Sequence, residues 1–354
     1  MIFLGLLLQA GVGGAVPFAF FQPTVTVSVS QQAVLDRGDP VTQILPASGA
    51  EDAVFTAISA SIDDGRLIAW VRRIDDLKKS KYVLTVRRFS DPPRIEDLSE
   101  LKLDPDDIED IQKCRAGNCQ LKLSAAEMTQ LREAARARSN ASAAIEETFR
   151  RLILERVQLY LKSGHVPPYE DKHVPVHPEI RFDALLDHTA FLTTHVPELN
   201  GYFRSYPLKP VAGLESFFYW SKERVAGKAI ISVTQVNIVR YQRTGVPDVL
   251  VVNRDIYSSH YIDASLSLTA LTAASTENHN YLVYINRTDV DILHGVLETF
   301  IRKAMHHRIR EGATDEIETY KQRMESGDPP PVEPANGASG ELTARPTKRF
   351  IEFE

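Results

Sequence analysis

The densest run of side chains able to do chemistry is Tyr257-Ser-Ser-His260-Tyr261-Ile-Asp263-Ala-Ser265. On one continuous strand, Tyr257, Ser259, Tyr261, Asp263 and Ser265 would share a face, and Ile256, Ser258, His260, Ile262 and Ala264 the other. A carboxylate beside two tyrosines suits the binding of a ligand head group, or proton transfer if its pKa is moved towards neutrality. The alternative is that this face is the solvated outside of a sheet. His260, on the more apolar face, is either a base aimed into a cavity or a hydrogen-bonded core residue. His260, Asp263 and Tyr261 are thus the catalytic candidates, and His260 is also a candidate ligand contact.

The remaining chemistry-bearing residues are sparser. His165, His173, His177 and His188 invite a metal reading, but Pro175 breaks the helix that would bring His173 and His177 together. His306-His307 is expected to face solvent. Two cysteines, in Cys114-Arg-Ala-Gly-Asn-Cys119, are spaced to close a small disulfide loop over a Gly-Asn turn. Too few soft ligands accompany them for a metal site, and a redox pair would normally have two intervening residues. No phosphate-binding loop, nucleophile elbow or other cofactor motif is present, so neither a cofactor nor a metal is expected. Asn286-Arg-Thr288 and Asn140-Ala-Ser142 match the glycosylation acceptor pattern. Phe217-Phe-Tyr-Trp220 is consecutive, so about half its rings would point inward from a strand, to line an apolar pocket or pack a core.

The elements that must position these residues change character along the chain. Residues 24–30 alternate Thr-Val-Thr-Val-Ser-Val-Ser and read as a β segment or an extended arm. Ala53 to Ile62 reads as a strand, Asp63 and Asp64 as a helix cap, and Leu67, Ile68, Val71, Ile74 and Leu77 as one helical face. Tyr82 to Phe89 is the next strand. From Arg94 the texture becomes helical: a capping box at Ser124 to Glu127 opens one helix, Ala143 to Lys162 forms another, and Gly164 closes it. His165 to Pro178 reads as irregular, and shorter helices are expected at Phe182 to Thr193 and Pro197 to Ser205. Five strands follow near 215–222, 228–241, 248–257, 260–273 and 279–287, with short links that imply an antiparallel meander. The predicted closing helix, about Asp289 to Arg310, carries Val290, Leu293, Leu297, Phe300, Ile301 and Ala304 on one face. A short helix near Thr314 to Met324 would continue it.

One strand, a short helical stretch, further strands and a long closing helix is the helix-grip order. The chain resembles the START-type, polyketide-cyclase-like superfamily in this order of elements, over Ala53 to Phe89 and 215–310. It also resembles exported bacterial proteins that carry no assigned activity. The resemblance implies an α+β fold, in which a curved antiparallel sheet wraps a C-terminal helix around a cavity for an apolar or amphipathic molecule. It implies no chemistry by itself. On that frame the chain divides into a signal peptide (1–19), a first part of the helix-grip domain (20–93), a helical insertion with the cysteine loop (94–210), a second part (211–325) and a tail rich in Pro, Gly and charge (326–354), expected to be disordered. The expected ligand contacts are Phe218, Trp220, His260, Leu297, Phe300 and Ile301.

The chain has 354 residues, 43% of them hydrophobic, and a formal net charge of −6. That charge and the lack of a basic stripe argue against a nucleic-acid partner. The first charged residue is Asp36, and the apolar start with small residues near Ala15 and Ala19 reads as an export signal, although without a basic leader. Export would put the cysteine pair in an oxidising periplasmic or secreted setting; an uncleaved membrane anchor is the alternative. The functional expectation is an exported protein that binds a hydrophobic or amphipathic small molecule or lipid. Two alternatives remain: a cyclase- or hydrolase-like enzyme using His260 or Asp263, and an envelope interaction protein docking through its insertion and tail.

Overall fold

The structure, a computed structural model, describes residues 16–136, 140–171, 174–225, 227–274, 279–294 and 298–331. Residues 1–15 of the expected signal and 332–354 of the expected tail lie outside the described residues.

The first elements are α1 (Val29–Asp36), β1 (Val41–Ile44), β2 (Glu51–Ala60), α2 (Asp64–Arg72), α3 (Ile74–Leu77) and β3 (Val83–Arg88). Then come α4 (Pro105–Lys113), α5 (Ala125–Ala135), α6 (Ala141–Ser163), the small hairpin β4 (Tyr169–Asp171) and β5 (Val174–Val176), α7 (Pro178–Asp187), α8 (Ala190–His195) and α9 (Pro197–Ser205). The chain continues through β6 (Glu215–Val225), β7 (Lys228–Arg240), β8 (Val249–Ser258), β9 (Ile262–Ala273), β10 (Asn280–Val290) and α10 (Glu298–Ser326). It is an α+β fold. Among the described residues, eight strands form one antiparallel sheet in the order β1-β2-β10-β9-β8-β7-β6-β3. The last long strand therefore pairs with β2, near the start of the chain, and β1 and β3 are the two ends of the strand order.

Both faces of this sheet are covered, which makes three layers. On one face lie α2, α3 and α10, with Leu67, Val71, Ile317 and Met324 packed against Phe217, Val236, Val251 and Leu282. On the other lies the 94–210 stretch. Its α4–α6 half packs on Phe218, Trp220, Ile231 and Val233, and its α7–α9 half packs on Phe55, Val252, Leu268 and Val283. The insertion is thus the outer cladding of the sheet, opposite the closing helix. Every residue of β2 is buried because it has a neighbour strand on each side and a layer on each face.

Local chemistry explains the element boundaries. Asp63 accepts from the Arg66 amide at 2.7 Å and caps α2 as expected. Ser124 and Glu127 form the expected capping box, and Glu127 then pairs in bidentate fashion with Arg156 of α6 at 2.7 and 2.6 Å. Residues 24–30 are not a strand. A second capping box, Ser28 with Gln31, starts α1 at Val29 and so makes the last two residues of the run helical, because reciprocal side-chain bonds satisfy the first amides of a helix. The Pro- and His-rich stretch contains the β4–β5 hairpin rather than only irregular chain.

The closing helix starts later and runs further than its sequence suggests. β10 continues to Val290, α10 begins at Glu298, and the piece expected near Thr314 is its continuous second half. Ile317, Tyr320 and Met324 make the sheet-side packing. Near the other end, Arg302 donates to the Glu51 carbonyl at 2.6 Å, and His306 lies 3.5 Å from the buried Asp52 carboxylate. His306 is therefore engaged with the sheet, whereas His307 is exposed.

Gly164 ends α6 with φ +73° and donates to Tyr160 O at 2.7 Å. A Cβ there would come within 2.0 Å of the Tyr206 carbonyl oxygen. Gly164→Ala combines left-handed strain of about 1–2 kcal/mol with that clash. It should lower the unfolding midpoint clearly, and a variant as stable as the wild type would show that the α6–α9 packing is looser than described.

Candidate functional site

The predicted catalytic run does not lie on one strand. β8 ends at Ser258 and β9 starts at Ile262. Between them the chain reverses tightly: the Ile262 amide donates to His260 O at 2.6 Å, and Tyr261 takes φ 59°. A register shift where Asp289 and Val290 face Ala264 and Ile262 leaves Asp263 as an extra residue. Such a bulge re-aims one side chain. Ser265 faces α10, while Asp263 turns to the insertion.

There the candidates become structural anchors. Asp263 accepts from Tyr169 OH at 2.6 Å and pairs with Lys122, whose Nζ is also 3.1 Å from Asp291. Lys122 and Asp263 side chains are only 6% and 2% exposed. Burial and the Asp263 carboxylate push the Tyr169 phenol well above its ordinary pKa. His260 Nδ1 lies 3.1 Å from the Gln120 carbonyl, and its Nε2 lies 3.2 Å from Asp107, which also pairs with Lys228 at 2.8 Å. Burial alone would raise the Asp107 pKa, but His260 and Lys228 beside it hold it below the usual range. The Lys122 amide donates to Ser259 O at 3.0 Å. Residues 120–123 are thus stitched to the β8–β9 turn. Just before them, Cys114 and Cys119 form the expected disulfide across a 4.6 Å Cα separation. The space beside Asp263 and Lys122 is about 20 Å³, room for roughly one water.

The larger cavity is elsewhere. It holds about 400 Å³ between the α10 side of the sheet and the helices α2, α3 and α10. Leu67, Val71, Ile74, Val236, Val251 and Met324 supply its apolar wall. The sheet supplies a polar floor. Asn253 donates to Ser267 Oγ at 3.0 Å, Asn286 to Ser265 Oγ at 3.4 Å, and Thr288 to Asn286 Oδ1 at 2.6 Å, a ladder across β8, β9 and β10.

One end of the cavity is charged. Lys78, just after α3, pairs with Glu223 of β6 at 3.0 Å and sits 5.7 Å from the Tyr219 ring centroid. Glu223 also accepts from Ser221 at 2.6 Å. Both side chains are partly buried and line the cavity. Burial opposes both charges. Each offsets it for the other, so the Lys78 pKa is held above its ordinary value and that of Glu223 below. Asp255 accepts from Thr234 Oγ1 at 2.7 Å, and burial pushes its carboxyl up to about 6 against the opposing pull of Thr234 and Lys78. Glu316 of α10 accepts from Tyr320. Burial raises the phenol pKa of Tyr219, Tyr284 and Tyr320.

Of the expected ligand contacts, Phe218, Trp220 and His260 do not line this cavity. They point to the insertion; Trp220 Nε1 donates to Asp97 O at 2.9 Å. The parity of the aromatic run is the reverse of the one expected, with Phe217 and Tyr219 on the cavity side. Leu297 lies outside the described residues, as do the side chains of Phe300 and Ile301. The residues that do line the cavity include Ser265, Ser267, Thr269, Tyr284, Asn286 and Thr288. Their period-two alternation was visible in the sequence, but polar alternation ordinarily marks a solvated face.

The histidines do not converge. His165 meets Glu179 at 2.9 Å, His188 meets Glu51, and His173 lies outside the described residues. Among the described residues, the grouping close enough to hold a metal is Asp110 with Cys114 and Cys119, whose sulfurs are consumed by the disulfide. No helix of the described residues is long and apolar enough to cross a membrane. The exposed large apolar residues of the 94–210 stretch, Ile95, Leu159, Ile180 and Leu208, sit on four separate segments.

No family model matches the chain, and no curated protein matches it. A solved structure from Thermus thermophilus, TTHA0849, is similar at 13% identity over 43% of this chain and 92% of its own, with a TM-score of 0.25, a likeness that carries no argument about this chain.

Proposed function

We propose that this is a helix-grip protein whose α10-side cavity houses an amphipathic small molecule or lipid. The observation that carries the reading is the cavity of about 400 Å³, walled by apolar side chains from α2, α3 and α10 and floored by hydroxyls and amides of the sheet. Such a mixed lining suits a ligand with an apolar body and a few polar groups. Burial of the body, at about 25 cal/mol per Å², would drive affinity, and the floor would set orientation. The strand order, with β10 returning beside β2 and α10 following it, supports the helix-grip description. The expected result is that native mass spectrometry of the purified full chain finds a co-purifying small molecule, or that added decanol binds in the cavity. A chain that arrives empty and binds no decyl compound would defeat the reading.

Export is part of the same proposal, supported by the apolar start and the disulfide. Phe18 stacks on Tyr281 at 5.2 Å, and Phe20 and Phe21 both meet Phe191. Cleavage after Ala19 would remove a core ring, whereas cleavage after Ala15 would spare it. The mature mass should therefore correspond to a chain starting at Val16. An intact Met1 in the soluble fraction would count against export.

A further inference from the structure

We propose that the cavity selects a ligand with a cationic head group, an amine or quaternary ammonium carried on an apolar body. The inference rests on the cavity being the ligand site and adds the charge of what it takes.

The argument is a balance of the charges that face the space. Among the described residues, four charged groups line it: Lys78, Glu223, Asp255 and Glu316. The single ammonium is committed to Glu223 at 3.0 Å. Asp255 and Glu316 then have hydroxyl partners, Thr234 and Tyr320, and no cationic side chain of the described residues within ion-pair distance. Three carboxylates thus face one ammonium, which pairs closely with Glu223 and acts on Asp255 and Glu316 only at longer range. Enclosed charge is costly unless it is paired. A ligand cation would supply the pairing, and it would also meet the rings of Tyr219, Tyr284 and Tyr320, whose π faces attract ammonium groups. A fatty-acid carboxylate or a phosphate would add a further negative charge where the one lining cation among the described residues is already engaged.

The test is calorimetric titration of the full chain with decyltrimethylammonium, decanoate and decanol, each below its micellar concentration. Decyltrimethylammonium should bind roughly tenfold or more tightly than decanol, and decanoate should be the weakest. In an Asp255→Asn, Glu316→Gln double variant the ammonium advantage should disappear while decanol affinity is unchanged. Equal affinities, or preference for decanoate, overturn the head-group proposal and leave the container standing. Binding of none of the three overturns both. Retention of the ammonium advantage in a folded double variant also overturns it. Decanol binding checks that the variant folds, and the wild-type order decides the matter if it does not.

Discussion

Lys122→Met is expected to cost about 3–5 kcal/mol of folding stability, the range for breaking a buried ion pair from one side. The substitution keeps the length and apolar stem of the side chain. What it removes is the ammonium that faces Asp263 and Asp291 and sits 4.9 Å from the Tyr169 ring centroid. Asp263 would be left buried with only the Tyr169 hydroxyl as donor among the described contacts. The segment 120–123 also carries the Lys122 amide to Ser259 and the Leu123 carbonyl to Glu170, so its docking should loosen along with the charge. Chemical denaturation at neutral pH gives the magnitude, and hydrogen exchange should lose protection first around 120–123 and the β8–β9 turn. Adding Asp263→Asn should recover much of the loss, because it removes the orphaned charge. A single variant within about 1 kcal/mol of wild type would contradict the burial of this pair.

Asp255→Asn should have the opposite sign. The Asp255 carboxyl titrates near 6 in the folded chain against an ordinary value of 3.8, chiefly because burial disfavours the charged form. A group whose folded pKa is raised stabilises the fold most fully below its unfolded pKa, and that contribution is lost as pH rises through the folded value. At pH 7.5 the ionised carboxylate is therefore a liability of up to about 3 kcal/mol. Asparagine keeps an acceptor for the Thr234 hydroxyl and carries no charge. The variant should melt higher than wild type at pH 7.5, and the gap should narrow as pH falls through 6 and close near pH 4. A constant gap across that range would show that the side chain is solvated. Lost affinity for a cationic ligand in the stabilised variant would fit a site that trades stability for binding.

Much of the element pattern was readable from local rules. The capping residues Asp63 and Ser124, the terminating Gly164 and the five strands after 215 fall within a few residues of where their signals place them. These depend on neighbours in sequence, and neighbours in sequence are what a pattern records. The departure at Val29 and Ser30 has the same origin. An alternating run and a capping box overlap at Ser28, and the reciprocal side-chain bonds prevail because they satisfy amides that the strand pattern leaves unspecified.

The candidate site was legible only in part. His260 and Asp263 were found as unusual polar residues, yet one tight turn at Tyr261 and one bulge opposite Val290 send them to the insertion rather than to a cavity. Phe218 and Trp220 lie on an unbroken strand, where alternation separates the two faces without saying which of them looks towards α10. Of the polar floor, only Ser265 belongs to the face singled out in the sequence, because polar alternation like that of Ser267, Thr269, Asn286 and Thr288 matches that of an exposed sheet.

What the amino-acid order determines alone is where the capped helices and the five long strands lie to within a few residues, and that two cysteines five residues apart can close a loop. What tertiary structure decides is which side of the sheet each layer covers. Amphipathic periodicity tells a face that can be wet from one that must be dry. It says nothing about whether the wet face meets bulk solvent or an enclosed space. That depends on where α10 and the insertion dock, through contacts between residues hundreds of positions apart.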